Sequence, residues 1–159
     1  MIIIIDGTES KSIKIMVYKD KKLILSRYRK NIDVYKYLDD FFKNINITDV
    51  LCIGINIGPG SFSSTRASVA YISGLSLGSM IPVIGVSGFD ILSKDKKKLI
   101  LNAGRGKVYI QSNGGFLVKK SDIYEKIDNN VFFDIIYKKF KKNEFSDPLS
   151  LLPLYITEI

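Results

Sequence analysis

Four isoleucines, Ile2 to Ile5, stand unbroken before Asp6-Gly7-Thr8-Glu9-Ser10. A short continuous apolar run closed by turn residues predicts a buried strand. Ser12 to Tyr18 and Lys22 to Tyr28 predict two further strands around Lys19-Asp20-Lys21, so the chain opens as an antiparallel three-strand unit. The period then changes. Val34, Leu38, Phe41 and Ile45 share a narrow arc at about 100° per residue, and Asp33 stands where a helix needs its cap. Tyr35 and Phe42 widen this apolar stripe beyond one sheet contact, which leaves two readings, a second neighbour or aromatics at a core margin.

Val50 to Ile57 alternates Leu51, Ile53, Ile55 and Ile57 with Cys52, Gly54 and Asn56, predicting a strand with one bulky face and one that admits close approach. Gly58-Pro59-Gly60 then reverses the chain, Ser61 is the candidate cap, and Phe62 to Leu77 is the next helix. Ala67, Ala70, Gly74 and Gly78 cluster on one side of it, where another backbone could come near. From Leu51 to Phe89 only Arg66 is charged. Average composition would place about ten charges in such a window. Both faces of the helix are therefore expected to be covered, one by the chain's own sheet and the other by a second neighbour such as another protein. Arg66 has two readings, a salt bridge or anion contact and a guanidinium bonded to nearby carbonyls, and because burial without a partner is costly an acceptor is expected for it.

Beyond this window the pattern predicts a strand over Pro82 to Val86, a short helix over Phe89 to Leu92 and a strand over Leu99 to Asn102. Gly104-Arg105-Gly106 leads into a strand at Val108 to Ile110, and Gly114-Gly115 makes a hairpin to Phe116 to Val118. Val131 to Lys142 is expected as a helix with a basic outer face, and Pro148 to Ile159 as an extended tail.

The 159 residues allow one domain with a small appendage, divided here as 1–96 and 97–159. No segment approaches the roughly 18 uninterrupted apolar residues of a membrane helix, and Met1 to Asp6 has no basic leader, so a soluble, cytoplasmic chain is expected. Its single cysteine, Cys52, lies in an apolar run and reads as a small buried hydrophobe, consistent with a reducing compartment. There is no histidine. That removes Ser-His-Asp and Cys-His catalysis and His-based metal sites, leaving carboxylates, Lys, Tyr or an oxygen-held metal. The formal charge of +8, with lysines at 94–98, 119–120 and 138–142, suits an anionic partner such as RNA, or else solvates the surface.

Three constellations invite a chemical reading. Gly58 to Arg66 lacks the Gly-Lys-Ser/Thr ending of a P-loop and is read as packing. Asp6-Gly7-Thr8, a turn between strands, resembles the phosphate-contacting hairpin of the actin, sugar-kinase and Hsp70 superfamily, but a working site there needs two lobes, so the turn is read as vestigial or structural. Asp6 with Asp39, Asp40, Asp49 or Asp90 would make a two-metal nuclease centre, although Asp39 and Asp40 fall on the outward arc of their helix as solvated charges do; a small Mg-dependent ATPase or nuclease using the Asp6 turn is the alternative reading of the chain.

Gly58-Pro59-Gly60-Ser61-Phe62 with Arg66, then Gly74-Leu75 and Gly78, then Pro82-Val83-Ile84-Gly85-Val86-Ser87, then Arg105-Gly106-Lys107-Val108-Tyr109, resemble the TsaB (YeaZ) family of bacterial tRNA-modification proteins. The likeness covers Met1 to Ser112, and Pro153-Leu154-Tyr155 is similar to the family's closing Pro-x-Tyr. It implies an α/β, actin-like ATPase (ribonuclease H-like) fold, with a mixed sheet, helices on its faces and a reduced second lobe. Residues 1–96 would then be the ribonuclease H-like domain. It further implies a noncatalytic subunit without cofactor or metal that pairs with the catalytic TsaD and, with the ATPase TsaE, serves threonylcarbamoyl transfer. The group moves from its adenylate onto the adenosine beside the anticodon of tRNAs reading codons that begin with A. In the family the two first helices form the seam with TsaD or with a second TsaB copy. Here that places Tyr35, Phe42, Ala67, Ala70, Tyr71 and Gly74 at the partner, with tRNA reached through the complex and no membrane involved. The chain departs from the family at Ser63-Ser64, where Thr-Gly is usual, at Asn102 to Gly106, at Gly7 and in its shorter second half.

Overall fold

A computed structural model describes residues 1–92, 98–112 and 115–156. Part of the lysine run at 94–98, Gly114 of the expected hairpin and the end of the tail lie outside the described residues. The elements are β1 (Ile2–Asp6), β2 (Ser12–Lys19), β3 (Lys22–Lys30), α1 (Val34–Lys43), a 3₁₀ turn (Ile47–Asp49), β4 (Cys52–Asn56) and α2 (Phe62–Ser79). There follow β5 (Val83–Val86), α3 (Gly88–Leu92), β6 (Lys98–Gly104), β7 (Lys107–Ser112), β8 (Gly115–Lys120) and α4 (Asn129–Lys141).

The first five strands form one sheet in the order β3-β2-β1-β4-β5. β1 pairs antiparallel with β2 and parallel with β4, and β4 pairs parallel with β5. This mixed sheet with helices on both faces is the actin-like, ribonuclease H-like arrangement expected above. β1 is its central strand, which explains the unbroken isoleucines: Ile3 and Ile5 face one layer and Ile2 and Ile4 the other. α1 and α2 cover the first face, burying Val34, Leu38, Phe41, Val69 and Ile72 against Ile13, Ile15, Ile53 and Ile55. α4 covers the second with Phe132, Phe133 and Ile136, and the Phe133 ring stacks on Tyr18 at 4.0 Å. The close-approach face expected on β4 is real, and α4 occupies it. A Cβ at Gly54 would lie 2.6 Å from Ile136 Cγ1.

Caps agree with the composition of the helix starts. The Asp33 carboxylate accepts from Lys36 N–H, and that of Asp128 accepts from Asn130 and Val131 N–H. Ser61 does hold the first position before α2, but its side chain makes no cap bond. Instead its N–H donates to Thr8 C=O at 2.6 Å. Leu51 is also not a core residue: the strand begins at Cys52, and Leu51 is half exposed.

β6, β7 and β8 make a separate antiparallel sheet whose Leu99 and Leu101 pack with Phe89 and Leu92 of α3. The division at residue 96 follows chain order but not packing, since α4, from the second segment, covers the first segment's sheet. The tail is held as well. Ser146 pairs with Val83 and caps the β5 edge, Leu151 lies on Gly85, and Leu154 N–H donates to Ile57 C=O at 2.7 Å.

Candidate partner-docking surface

The first turn is closed by its own groups. Asp6 Oδ1 accepts from the Thr8 N–H at 3.0 Å and from the Thr8 hydroxyl at 2.6 Å. Gly60 backs onto Thr8 so tightly that a Cβ would lie 2.5 Å from the Thr8 carbonyl oxygen. A Cβ at Gly7 would fall 2.5 Å from Ser68 Oγ, and Ser64 Oγ accepts from Lys11 N–H at 2.8 Å. The start of α2 therefore fills the space against the turn, and the small residues Gly7, Ser64 and Ser68 are what allow it. Two of the groups a phosphate would use, the Thr8 N–H and hydroxyl, are already bonded.

Gly58 to Phe62 joins four parts of the chain. Gly58 has φ +108°, a conformation suited to glycine. Its N–H donates to Asn56 Oδ1 at 3.0 Å, and its carbonyl accepts from Gly88 N–H at 2.7 Å. A Cβ on Gly58 would also approach the Leu154 carbonyl oxygen to 2.9 Å. The Gly58–Pro59 peptide is cis. Phe62 is 62% exposed, its ring 5.3 Å from that of Tyr155.

Arg66 corrects an expectation. It is exposed on the outer face of α2, with its guanidinium 4.8 Å from the centre of the Phe62 ring. The uncharged window did not imply burial of its one charge. Exposed with Arg66 are Phe62, Ala70, Gly74, Leu77 and Gly78, a stripe at mostly four-residue spacing down the same side of the helix. A Cβ at Gly74 or at Gly78 would meet nothing within 4 Å. Met80, in a left-handed conformation just past the helix, is 88% exposed. The face has an inner margin on α1: Tyr35, 58% exposed, meets the Tyr71 ring edge-on at 5.3 Å.

The remaining expected residues divide. Ala67 and Tyr71 are half-buried and pack against the α1 side of the core. Phe42 does not reach the surface. It is 5% exposed, with its ring 5.9 Å from that of Tyr71, because the two helices close over it. It supports Tyr71 from below. Burial first, with Asp39 beside it, pushes the Tyr71 phenol up to about 12, so it stays neutral at physiological pH.

The carboxylates of the alternative reading come from four separate elements, with Asp6 on β1. Asp39 and Asp40 lie on α1, Asp49 in the 3₁₀ turn and Asp90 on α3, and among the described residues no three His, Cys, Asp or Glu side chains could hold one ion. Cys52 is fully buried, and desolvation pushes its thiol up to about 12. Native protein at pH 8 is therefore expected to resist a thiol reagent such as DTNB. Modification should appear only with denaturant, and rapid stoichiometric labelling of the folded chain would contradict this burial.

Residues 32–134, more than half of the chain, match the family model described as TsaD: tRNA N6-adenosine threonylcarbamoyltransferase. The tRNA threonylcarbamoyladenosine biosynthesis protein TsaB of Buchnera aphidicola subsp. Schizaphis graminum is 32% identical over 145 residues, which span 80% of this chain and 67% of that protein. The chain belongs to the TsaB (YeaZ) family. Among solved structures, YeaZ from Pseudomonas aeruginosa superposes with a TM-score of 0.69 at 14% identity, over 98% of this chain and 99% of that one. A second structure is described as an uncharacterized protein with similarity to peptidase YEAZ from Pseudomonas aeruginosa. It gives 0.69 at 15% identity over the same shares. At such identities the likeness establishes the fold, and that fold is the family's. Within the TsaB family fold the described chain has no helix long and apolar enough to cross a membrane.

Proposed function

We propose that the chain is a noncatalytic, cytoplasmic subunit in tRNA threonylcarbamoyladenosine formation that scaffolds and activates a TsaD-type transferase. The observation that carries this reading is the outer face of α2. A helix whose exposed stripe holds phenylalanine, alanine, leucine and two glycines with one arginine is built to lie against another helix rather than against water. Tyr35, Tyr71, Ala70 and Gly74 would make the contact, with Ala67 and Phe42 supporting it. TsaE would join the paired subunits, tRNA would be reached through the complex, and the same face would pair two copies when the transferase is absent. The absence of histidine and the closure of the Asp6 turn support leaving the chemistry, and any cofactor, to the partner.

Co-expression with the TsaD of the same genome, followed by size-exclusion chromatography and a tRNA-modification assay, tests the proposal. Co-elution in equal amounts, with modification that requires both proteins, is expected. A chain that hydrolyses ATP or RNA by itself with Mg²⁺, and loses this on Asp6→Asn, would establish the enzyme reading in its place.

A further inference from the structure

The two edges of the five-stranded sheet are treated differently. β5 is covered by the chain itself: Ser146 N–H donates to Val83 C=O at 2.8 Å and Ser146 Oγ accepts from Gly85 N–H at 3.0 Å. β3, at nine residues the longest strand, has β2 on one side and no strand on the other among the described residues. Eight of its residues are exposed and only Leu25 is partly buried. The strand holds Lys22, Arg27, Arg29 and Lys30 and no carboxylate. Strand geometry puts Arg27 and Arg29 on one face, about 7 Å apart, a separation comparable to that of neighbouring phosphates on one nucleic-acid strand. Tyr28 lies between them on the other face, 41% exposed, with Lys30 Nζ 5.4 Å over its ring.

We propose that this free, basic edge of β3 is an RNA-binding site, with Lys22, Arg27, Arg29 and Lys30 on backbone phosphates and Tyr28 offering a ring for a base to stack on. The site rests on reading the chain as a tRNA-modification subunit, and to the RNA contacts made through the complex it adds this subunit's own hold. Three acids lie near it: Glu9, whose Oε2 accepts a hydrogen bond from the Tyr28 hydroxyl, Asp40, which shares the groove beside Arg27 and Tyr37, and Asp20, two residues before Lys22 in the β2–β3 turn. A second copy of the chain is a poor occupant, since antiparallel pairing of two β3 edges would oppose four cations to four. Phosphate contacts supply the affinity, and the aromatic ring adds sequence-tolerant stacking.

The test titrates the full chain into a fluorescently labelled anticodon stem–loop RNA across a range of salt. It is repeated with Lys22→Gln/Arg27→Gln/Arg29→Gln/Lys30→Gln and with Lys138→Gln/Lys139→Gln/Lys141→Gln/Lys142→Gln, which removes the same charge from α4. The β3 variant is expected to bind at least about tenfold more weakly, and the slope of log K against log salt should fall by roughly 3. The α4 variant should stay close to the native chain. Equal losses in both variants would mean diffuse attraction by net charge, and native-like binding by the β3 variant would place the RNA elsewhere; either overturns the site. So would capture of an acidic peptide at this edge with no RNA bound, or cations that only keep the edge from self-pairing, seen as no RNA binding at all together with dimerisation of the β3 variant. Arg27→Glu alone, a milder change to an exposed residue, should lose several-fold if the quadruple variant folds poorly. Co-elution of the β3 variant with TsaD separates this site from the subunit reading, because it should persist whether or not RNA binds there.

Discussion

Gly54→Val is expected to be the most damaging single substitution in the chain. Gly54 sits in the middle of β4, and the Ile136 side chain of α4 occupies the space a side chain would need, with Cγ1 at 2.6 Å, Cδ1 at 2.7 Å and Cγ2 at 3.0 Å from the position of a Cβ. β4 lies between two parallel neighbours, and Ile136 is fully buried, so neither partner can step aside into solvent. Overpacking of this kind costs about 3 kcal/mol or more, and for a domain of this size the midpoint of thermal unfolding should fall by roughly 6–12 °C. Ile136→Ala by itself leaves a cavity and costs about 2–5 kcal/mol. In the double variant the valine fills part of that cavity, so the combined loss should be clearly less than the sum of the two. Strictly additive losses, measured by denaturant or thermal unfolding, would mean that the two residues do not share this space.

The same pair shows what was legible in the sequence. The small face of β4 announced a close approach, because Cys52, Gly54 and Asn56 alternate with isoleucines. What approaches is α4, about eighty residues further along, and no local period links them. Elements whose patterns are strong could be read directly: the isoleucine run of β1, the alternation along β4, the stripe of α1. One pattern can also have two physical causes. Tyr35 and Phe42 widen the α1 stripe equally, yet one is 58% exposed and the other 5%, because Tyr71 from α2 lies over Phe42. Arg66 stands in an uncharged window that looked wholly covered, but a helix can lack charge because it meets a partner outside the chain, and then its one charge remains at the surface. The tail was the least legible. It is fixed by isolated bonds such as Leu154 N–H to Ile57 C=O and by Leu151 resting on Gly85, and such contacts leave no period. The Asp6 turn shows a related limit: its residues suggested phosphate binding, while the residues that close it, Gly60, Ser64 and Ser68, lie more than fifty positions away.

Gly74→Leu should separate stability from partnership in opposite directions. Nothing lies within 4 Å of where a Cβ would stand on Gly74, and the residue is inside α2 with helical neighbours on both sides. Replacing glycine by leucine there removes a helix-propensity penalty of somewhat less than about 1 kcal/mol, so the isolated variant should unfold a few degrees higher than the native chain. Four residues before and after it, Ala70 and Gly78 are exposed as well, and three small residues in a row on one side of a helix would let a partner's backbone lie close. A leucine side chain would stand in the way of that approach. Affinity for the TsaD-type partner is expected to drop roughly ten- to hundredfold, the scale of overpacking by 1–3 kcal/mol carried into a dissociation constant. Gly74→Ala provides the graded control, gaining the same kind of helical stability with a much smaller effect on pairing. The measurement is a pair, thermal unfolding of the isolated chain beside a titration of the partner. Undiminished pairing in a variant of raised stability would show that the partner does not use this face of α2. Gly74 packs against nothing in the chain, and a glycine that no neighbour requires, in a helix where it lowers stability, needs a reason from outside the chain.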